Sequence, residues 1–138
     1  VFRTNAAYAR FWEARKVWGA VVNTSRDNVR LALIALDDPV LRDRMVQLGM
    51  LYPFLLKQHL QNDPDVDEVA AFSTLSSDEL ESLVNDPNPP LRVCQRMGDV
   101  LAKQFDDRDD VMAFNYRTYI EGEINKMVDF LGMCERIK

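Results

Sequence analysis

Apolar side chains recur with a helical period in the first quarter of the chain. Between Phe2 and Leu36 there is no proline, and Gly19 is the only glycine. The recurring apolar positions, spaced by seven, four or three residues, are Phe11, Trp18, Val22, Val29, Leu33 and Leu36. This spacing predicts one long amphipathic helix over residues 1–36. A helix of that length spans roughly 50 Å, more than the width of a small domain, so we expect its N-terminal end to project.

The next segment carries clear start and stop signals for a second helix. Asp37-Asp38-Pro39 predicts an aspartate cap followed by proline in the first helical turn, a common helix start. The apolar pattern then continues over 40–61, and Pro53 within it is expected to kink the helix. Residues 62–90 are predicted to be a linker with short helices, because Ser76 and Glu79 have capping-box spacing and 85–90 is rich in proline.

Two more helices are predicted in the last third, over 91–105 and 109–137. In the final helix, apolar positions alternate between spacings of four and three, as in a helix packed nearly parallel to a neighbour. These positions are Ile120, Ile124, Met127, Leu131 and Cys134. No strand-like alternation competes with this pattern. The sequence therefore predicts an all-α, antiparallel helical bundle with long first and last helices, forming a single domain over 1–138.

Composition narrows the function classes without choosing one. The chain has 138 residues, 47% of them hydrophobic, enough for one core. Its 17 basic and 22 acidic residues give a formal net charge of −5, which does not favour a nucleic-acid partner. The longest nearly apolar stretch, 45–56, is shorter than the roughly 20 residues that cross a bilayer. Because the chain begins in full helical rhythm without methionine, we interpret it as a piece of a longer protein.

Candidate catalytic and metal-binding groups are sparse. Cys94 and Cys134 lack a metal-binding or redox spacing, so we predict two buried free thiols in a reducing compartment. Residues 63–74 begin like a calcium-binding loop but lack the required glycine at the sixth position and glutamate at the twelfth. His59, the only histidine, has no nucleophile near it in sequence and is expected at the surface. We therefore predict no enzyme activity, no metal and no cofactor.

The two ends of the chain carry a family resemblance. Residues 2–19 read FRTNAAYARFWEARKVWG and resemble the FRTNxxYxRxWEARxxWG signature of the bestrophin family, as found in bacterial, fungal, algal and plant members. Residues 132–137 read GMCERI and resemble the G-x-CERI element that precedes the third membrane helix of that family. Asn-Pro-Pro-Leu-Arg at 88–92 occurs in family order, so the resemblance covers essentially the whole chain.

The resemblance implies an extramembrane part of an ion-channel subunit. Bestrophins assemble as pentameric rings with one ion path on the symmetry axis, and each subunit has four membrane helices. This chain would begin at the inner end of the second membrane helix and stop before the third. Its partners would be other copies of the same subunit and permeant ions, with chloride favoured by the basic first helix. The family includes both anion and cation channels. The segment would lie on the cytosolic or organelle-interior side of the membrane, which other segments would cross.

The resemblance also assigns residues to the ion path. Phe2 falls on the innermost position of the hydrophobic pore neck, where an apolar ring gates by expelling water. Arg3 and Arg10 share a helix face and would place positive charge near the inner pore. The alternative is that the basic residues of the first helix pair with acidic neighbours such as Glu13 or Asp27. A second apolar aperture would be supplied by one of three residues of the last helix: Tyr116, Tyr119 or Ile120.

The remaining motif residues are expected to be structural. Trp12 and Trp18 are predicted to be packing residues, because large aromatic side chains at helical spacing usually fill a core. Glu135 and Arg136 are expected to tie the final helix to the first, through Arg10 or Glu13, and to hold the start of the next membrane helix. Without the resemblance, the residues alone support a helical interaction module with no transport role, and this is the alternative hypothesis.

Overall fold

The part of the chain that the structure describes folds into a bundle of six helices. A computed structural model describes residues 2–137, without the side chain of Phe2. The helices are α1 (Phe2–Ala35), α2 (Pro39–Gln61), α3 (Val66–Ala70), α4 (Ser77–Val84), α5 (Pro89–Phe105) and α6 (Val111–Ile137). The described residues contain no strand, so the predicted all-α fold is confirmed.

The N-terminal end of α1 extends beyond the core. Residues 3–13 are all exposed, and the first buried side chain of the helix is that of Val17. At 1.5 Å per residue, the part before Val17 is about 20 Å long. We call residues 3–16 the α1 extension. It matches the predicted projection of the N-terminal end, and from Val17 onward the helix packs against α2 and α6.

Local capping sets the bounds of α2. The Asp38 side chain accepts hydrogen bonds from the backbone N–H groups of Val40 and Leu41, at 2.9 and 3.2 Å. Pro39 occupies the first helical position, where its missing N–H costs nothing. The helix continues through Pro53 and ends at Asn62, whose left-handed conformation (φ 53°) closes the last turn.

A three-residue ion cluster joins α2, α4 and α5. Ser76 caps α4 as predicted, since its Oγ accepts from the backbone N–H of Glu79 at 3.2 Å. The Glu79 carboxylate is bound by Arg44 of α2 at 2.6 and 2.7 Å and by Arg96 of α5 at 2.7 Å. The hydrogen bond from Arg44 is the main cause of a lowered pKa for the Glu79 carboxyl. These contacts fix the short α4 against the two longer helices.

The last two helices begin slightly away from their predicted starts. α5 begins at Pro89 rather than at residue 91, because Asn88 caps it and proline fits the first turn of a helix. α6 begins at Val111 rather than at residue 109, because the Asp110 side chain accepts from the backbone N–H of Ala113 at 3.2 Å. Both starts are therefore set by a polar side chain immediately before the helix.

The core lies between α1, α2, α5 and α6. The five seam positions of α6 are all buried, and they face helices of the same chain. The hydroxyl of Tyr52 on α2 donates a hydrogen bond to the backbone carbonyl of Met127 on α6 inside this core. Burial raises the pKa of the Tyr52 hydroxyl far above its ordinary value, so it stays protonated and keeps donating.

Candidate functional site

The α1 extension carries an exposed aromatic cluster. The ring of Trp12 contacts those of Tyr8 and Phe11 edge to face, with centroid distances of 5.9 and 6.1 Å. The prediction that Trp12 packs in a core is wrong for this chain, since 40% of its surface is exposed and its aromatic partners lie on its own helix. Trp18, the residue after Val17, is partly buried and does contact the core as predicted. The extension therefore presents apolar surface that no other described helix covers.

Basic side chains surround that cluster. Arg3, Arg10, Arg15 and Lys16 are exposed, and none of them forms an ion pair with a residue in the range 3–137. The guanidinium of Arg15 instead lies over the Trp12 ring, 5.5 Å from its centroid. The alternative pairing with acidic neighbours therefore does not hold for Arg10, although further along α1 it does hold for Arg30, whose Nε lies 3.8 Å from Oδ1 of Asp27. The extension thus keeps four basic groups uncompensated by neighbouring carboxylates.

Phe2, the predicted neck residue, is the first residue whose backbone the structure describes. The side chain of Phe2 is outside the described part of the chain, so its assignment to the pore neck stays a prediction. The backbone of α1 begins at that residue.

The structure separates the three aperture candidates. Ile120 is fully buried in the core of its own chain, so its side chain cannot also line an ion path, and we withdraw it as a candidate. Tyr119, its neighbour, is 68% exposed, and Tyr116 is half-buried. Both tyrosines line an open cleft of about 390 Å³ between α1 and α6, together with Arg30 and Glu123. Tyr119 is the candidate whose side chain is available to another molecule.

Glu135, expected to contact the first helix, instead contacts the second helix. The Glu135 carboxylate lies 3.6 Å from Nε2 of His59, so it connects α6 to α2 and not to Arg10 or Glu13 of α1. Arg136 is exposed and forms no ion pair with the described residues. The correction follows from the geometry, because the C-terminal end of α6 lies beside the late part of α2 while the start of α1 projects away. His59, expected at the surface, is consequently only 22% exposed in its side chain.

Sequence reasoning missed a set of buried polar residues in α1. Thr24, Ser25 and Asn28 are all buried, and Asn28 has no exposed surface. The Ser25 hydroxyl and both polar atoms of the Asn28 amide have no hydrogen-bond partner among the described residues. A signal existed, because Ser25 and Asn28 continue the inward-facing row of Val21 and Ala32 with helical spacings of four, three and four.

Thiols and carboxylates form no metal centre in the described part of the chain. Cys94 and Cys134 are free and buried, and burial raises the pKa of the Cys94 thiol to about 12. Within residues 2–137, no three His, Cys, Asp or Glu side chains come together as possible metal ligands. None of the helices in this range combines the length and the apolar character needed to cross a bilayer.

Comparison with known proteins places the chain in a family. Residues 1–138 match the family described as Bacterial/Fungal Bestrophin protein, and the chain belongs to that family. It is similar to a voltage-dependent anion channel-forming protein of Nostoc sp., with 35% identity over 142 residues, covering 99% of the chain and 45% of the relative. A protein of Synechocystis sp. with the same description is 34% identical, again covering 99% of the chain and 45% of the relative. The chain thus spans less than half the length of these relatives.

Solved structures agree on the fold. A crystal structure of a bacterial bestrophin homolog from Klebsiella pneumoniae superposes with a TM-score of 0.83 at 22% identity, covering 98% of this chain and 49% of that one.

A more distant relative in sequence, a chloroplastic voltage-dependent chloride channel of Arabidopsis thaliana, is 23% identical over 141 residues, covering 99% of the chain and 33% of the relative. The resemblance identified in the sequence is therefore confirmed.

Proposed function

We propose that this chain forms the inner vestibule and neck portion of a bestrophin-like channel subunit, and that the assembled channel conducts anions. The observation that carries the proposal is the match over the whole chain to relatives described as anion channel-forming proteins, at 34–35% identity. The segment would join the second and third membrane helices on the cytosolic or organelle-interior side. The proposal gives the chain a transport role and assigns it neither a catalytic residue nor a cofactor.

The charge on the α1 extension supports anion conduction. Its four basic side chains are opposed by a single carboxylate, Glu13, and none of the four is neutralised by an ion pair with a described residue. In a ring of five copies this arrangement would repeat around the axis and create a positive potential where ions leave the neck. Arg3 and Arg10, seven residues apart on one face, are the pore-proximal pair in this proposal, and Phe2 would form the apolar ring at the neck.

Exposed apolar side chains support assembly with other copies. Val111, Met112 and Phe114 at the start of α6 are each more than half exposed, as are Leu33 and Ile34 at the end of α1. Apolar surface of this kind at the ends of two adjacent helices usually marks a protein contact. We infer that neighbouring subunits cover this surface and that Tyr119, on the next turns of α6, borders the ion path as the inner aperture.

Planar-bilayer recording of the full-length protein in asymmetric potassium chloride tests the proposal. We expect a reversal potential close to that of chloride. Arg10→Gln should move it toward zero, with the anion-to-cation permeability ratio falling up to about fivefold, because a unit charge at about 4 Å in water is worth about 1 kcal/mol. Arg42→Gln, a matched substitution on α2 away from the extension, should leave it unchanged.

Two results would contradict this function. A reversal potential close to that of potassium would contradict anion conduction while leaving a channel role in place. The absence of any current from correctly folded, membrane-inserted protein would favour the helical interaction module instead.

A further inference from the structure

An apolar groove runs along the junction of α1 and α2, away from the α1 extension. One half is a cavity of about 280 Å³ lined by Val22, Val29, Met50 and Pro53 among others. The other half, of about 330 Å³, shares Val22 and Pro53 and continues to Trp18 and Phe54. Because both halves contact Val22 and Pro53, they lie side by side along the helix pair, and together we call them the α1–α2 groove.

Two residues of α2 that line the groove, Gly49 and Pro53, are unusual in a helix interior. Gly49 has no side chain, and a Cβ added there would approach Nδ2 of Asn28 to 3.3 Å, tighter than an ordinary van der Waals contact. Pro53 donates no hydrogen bond to the carbonyl of Gly49, one turn earlier, because proline lacks an N–H. The groove therefore lies beside a close approach of α1 and α2 at Gly49 and a missing backbone hydrogen bond at Pro53.

One end of the groove is polar and lacks partners. Ser25 lines it, is only 8% exposed, and its hydroxyl makes no hydrogen bond to a described residue. Arg26, the next residue, also lines the groove and forms no ion pair within the described range. The cation at the opposite end, Lys57, is already bound to Glu68 at 2.6 Å. Of the two ends of the groove, only the one at Arg26 thus combines a cation that has no ion pair with a hydroxyl, that of Ser25, that has no hydrogen-bond partner among the described residues.

We propose that the α1–α2 groove binds a free fatty acid. The carboxylate would accept hydrogen bonds from the Arg26 guanidinium and the Ser25 hydroxyl, a charge-assisted contact that supplies the missing partners. The alkyl chain would lie over Val22 and Pro53 toward Trp18 and Phe54, burying apolar surface that is now open. From Arg26 to Trp18 the helix rises about 12 Å, which suits a chain of medium length.

The source of the ligand follows from the distance to the membrane, and this step rests on the proposed function. If α1 continues a membrane helix, Val22 lies 20 residues inward from Phe2, or about 30 Å along the helix axis. A phospholipid anchored in the bilayer would not reach that far, whereas a free fatty acid would.

Photolabelling of the full-length purified protein with a diazirine derivative of dodecanoic acid tests the inference. We expect mass spectrometry to find the label in residues 18–29 or 50–54. Dodecanoate should compete at about tenfold lower concentration than its methyl ester, which lacks the charge that Arg26 recognises. Arg26→Gln should lower labelling about tenfold, an effect expected when a charge-assisted bond is lost. Arg30→Gln, on the same helix but outside the groove, should not lower it.

A second variant blocks the apolar part of the site. Val22→Trp should abolish labelling because the larger side chain fills the groove. If that side chain impairs folding, Arg26→Gln still tests the site, because Arg26 is exposed and its substitution should not disturb the core. Labelling outside both segments, or equal competition by acid and ester, would overturn the proposal. So would a Met50→Cys subunit carrying a photoactivatable cross-linker on its thiol that becomes linked to a neighbouring subunit, since a second copy would then occupy the groove. None of these results depends on ion selectivity, so failure here is distinct from failure of the channel proposal.

Discussion

Two adjacent residues of α6 give opposite predictions, and the pair tests where the core ends and the proposed ion path begins. Ile120 is fully buried and Tyr119 is 68% exposed, although both were aperture candidates. Ile120→Ala removes buried methyl and methylene groups and leaves a cavity, so we expect it to lower the free energy of unfolding by about 2–5 kcal/mol. Ile120→Val should cost only about 0.5–1.5 kcal/mol. Tyr119→Ala should change stability by less than about 0.5 kcal/mol, as for other surface positions.

The buried thiols provide the assay. Cys94 and Cys134 belong to the same core as Ile120 and are 5% and 8% exposed, so opening of the bundle should greatly increase their reaction with a thiol reagent. A loss of about 2 kcal/mol should raise their labelling in the full-length protein about thirtyfold when opening is fast relative to labelling, since 1.4 kcal/mol corresponds to a factor of ten. Peptide mass spectrometry distinguishes these two thiols from any others in the protein.

Conductance supplies the second readout for the same variants. Tyr119→Ala should alter single-channel conductance or anion selectivity without changing thiol protection, whereas Ile120→Val should leave the open-channel properties unchanged. An Ile120→Ala variant that keeps the thiols protected and changes conductance would contradict the placement of Ile120 in the core. That result would mean that its side chain faces the ion path and not the core.

Three further predictions concern the stability of the bundle. Glu79→Ala should lower the unfolding free energy by about 2 kcal/mol at neutral pH, since charge-assisted bonds are lost. The folded-state pKa of Glu79 is lowered, so its contribution to stability should disappear as the pH falls through that lowered value. Denaturant curves of variant and wild type that stay equally separated in acid would contradict this expectation. Tyr52→Phe should cost about 1–2 kcal/mol by removing the buried hydrogen bond to Met127, and an unchanged denaturant midpoint would argue against that bond. Asp38→Ala should cost about 1 kcal/mol and Asp38→Asn much less, because asparagine also caps; equal losses by thermal unfolding would show that capping is not the cause.

Local sequence signals predicted the helix boundaries well where a single side chain determines them. Asp38 and Ser76 cap their helices within three residues, so the information lies entirely in the adjacent sequence. The predicted start of α5 is two residues late, because consecutive prolines usually indicate a break, whereas here the two prolines beginning at Pro89 form the first turn of the helix.

Contacts between distant parts of the chain could not be predicted in the same way. An apolar residue such as Ile120 has the same sequence signal whether it faces its own core, another subunit or an aperture. The pairing of His59 with Glu135 joins residues on two helices far apart in sequence, and nothing near either residue indicates the other. Trp12 shows that helical spacing alone does not predict burial. Its position in the sequence pattern is that of a core residue, but its part of α1 projects beyond the bundle.

If the α1 extension borders the ion path as proposed, a cysteine scan of residues 3–13 in the full-length protein should reveal one helix face that affects the current. Background reaction should be slow, because the native thiols at 94 and 134 are buried and the pKa of Cys94 is raised to about 12. We expect a negatively charged methanethiosulfonate to reduce anion current at positions repeating every three or four residues, as on one face of a helix. If every position is fully labelled and the current does not change, the α1 extension does not border the ion path.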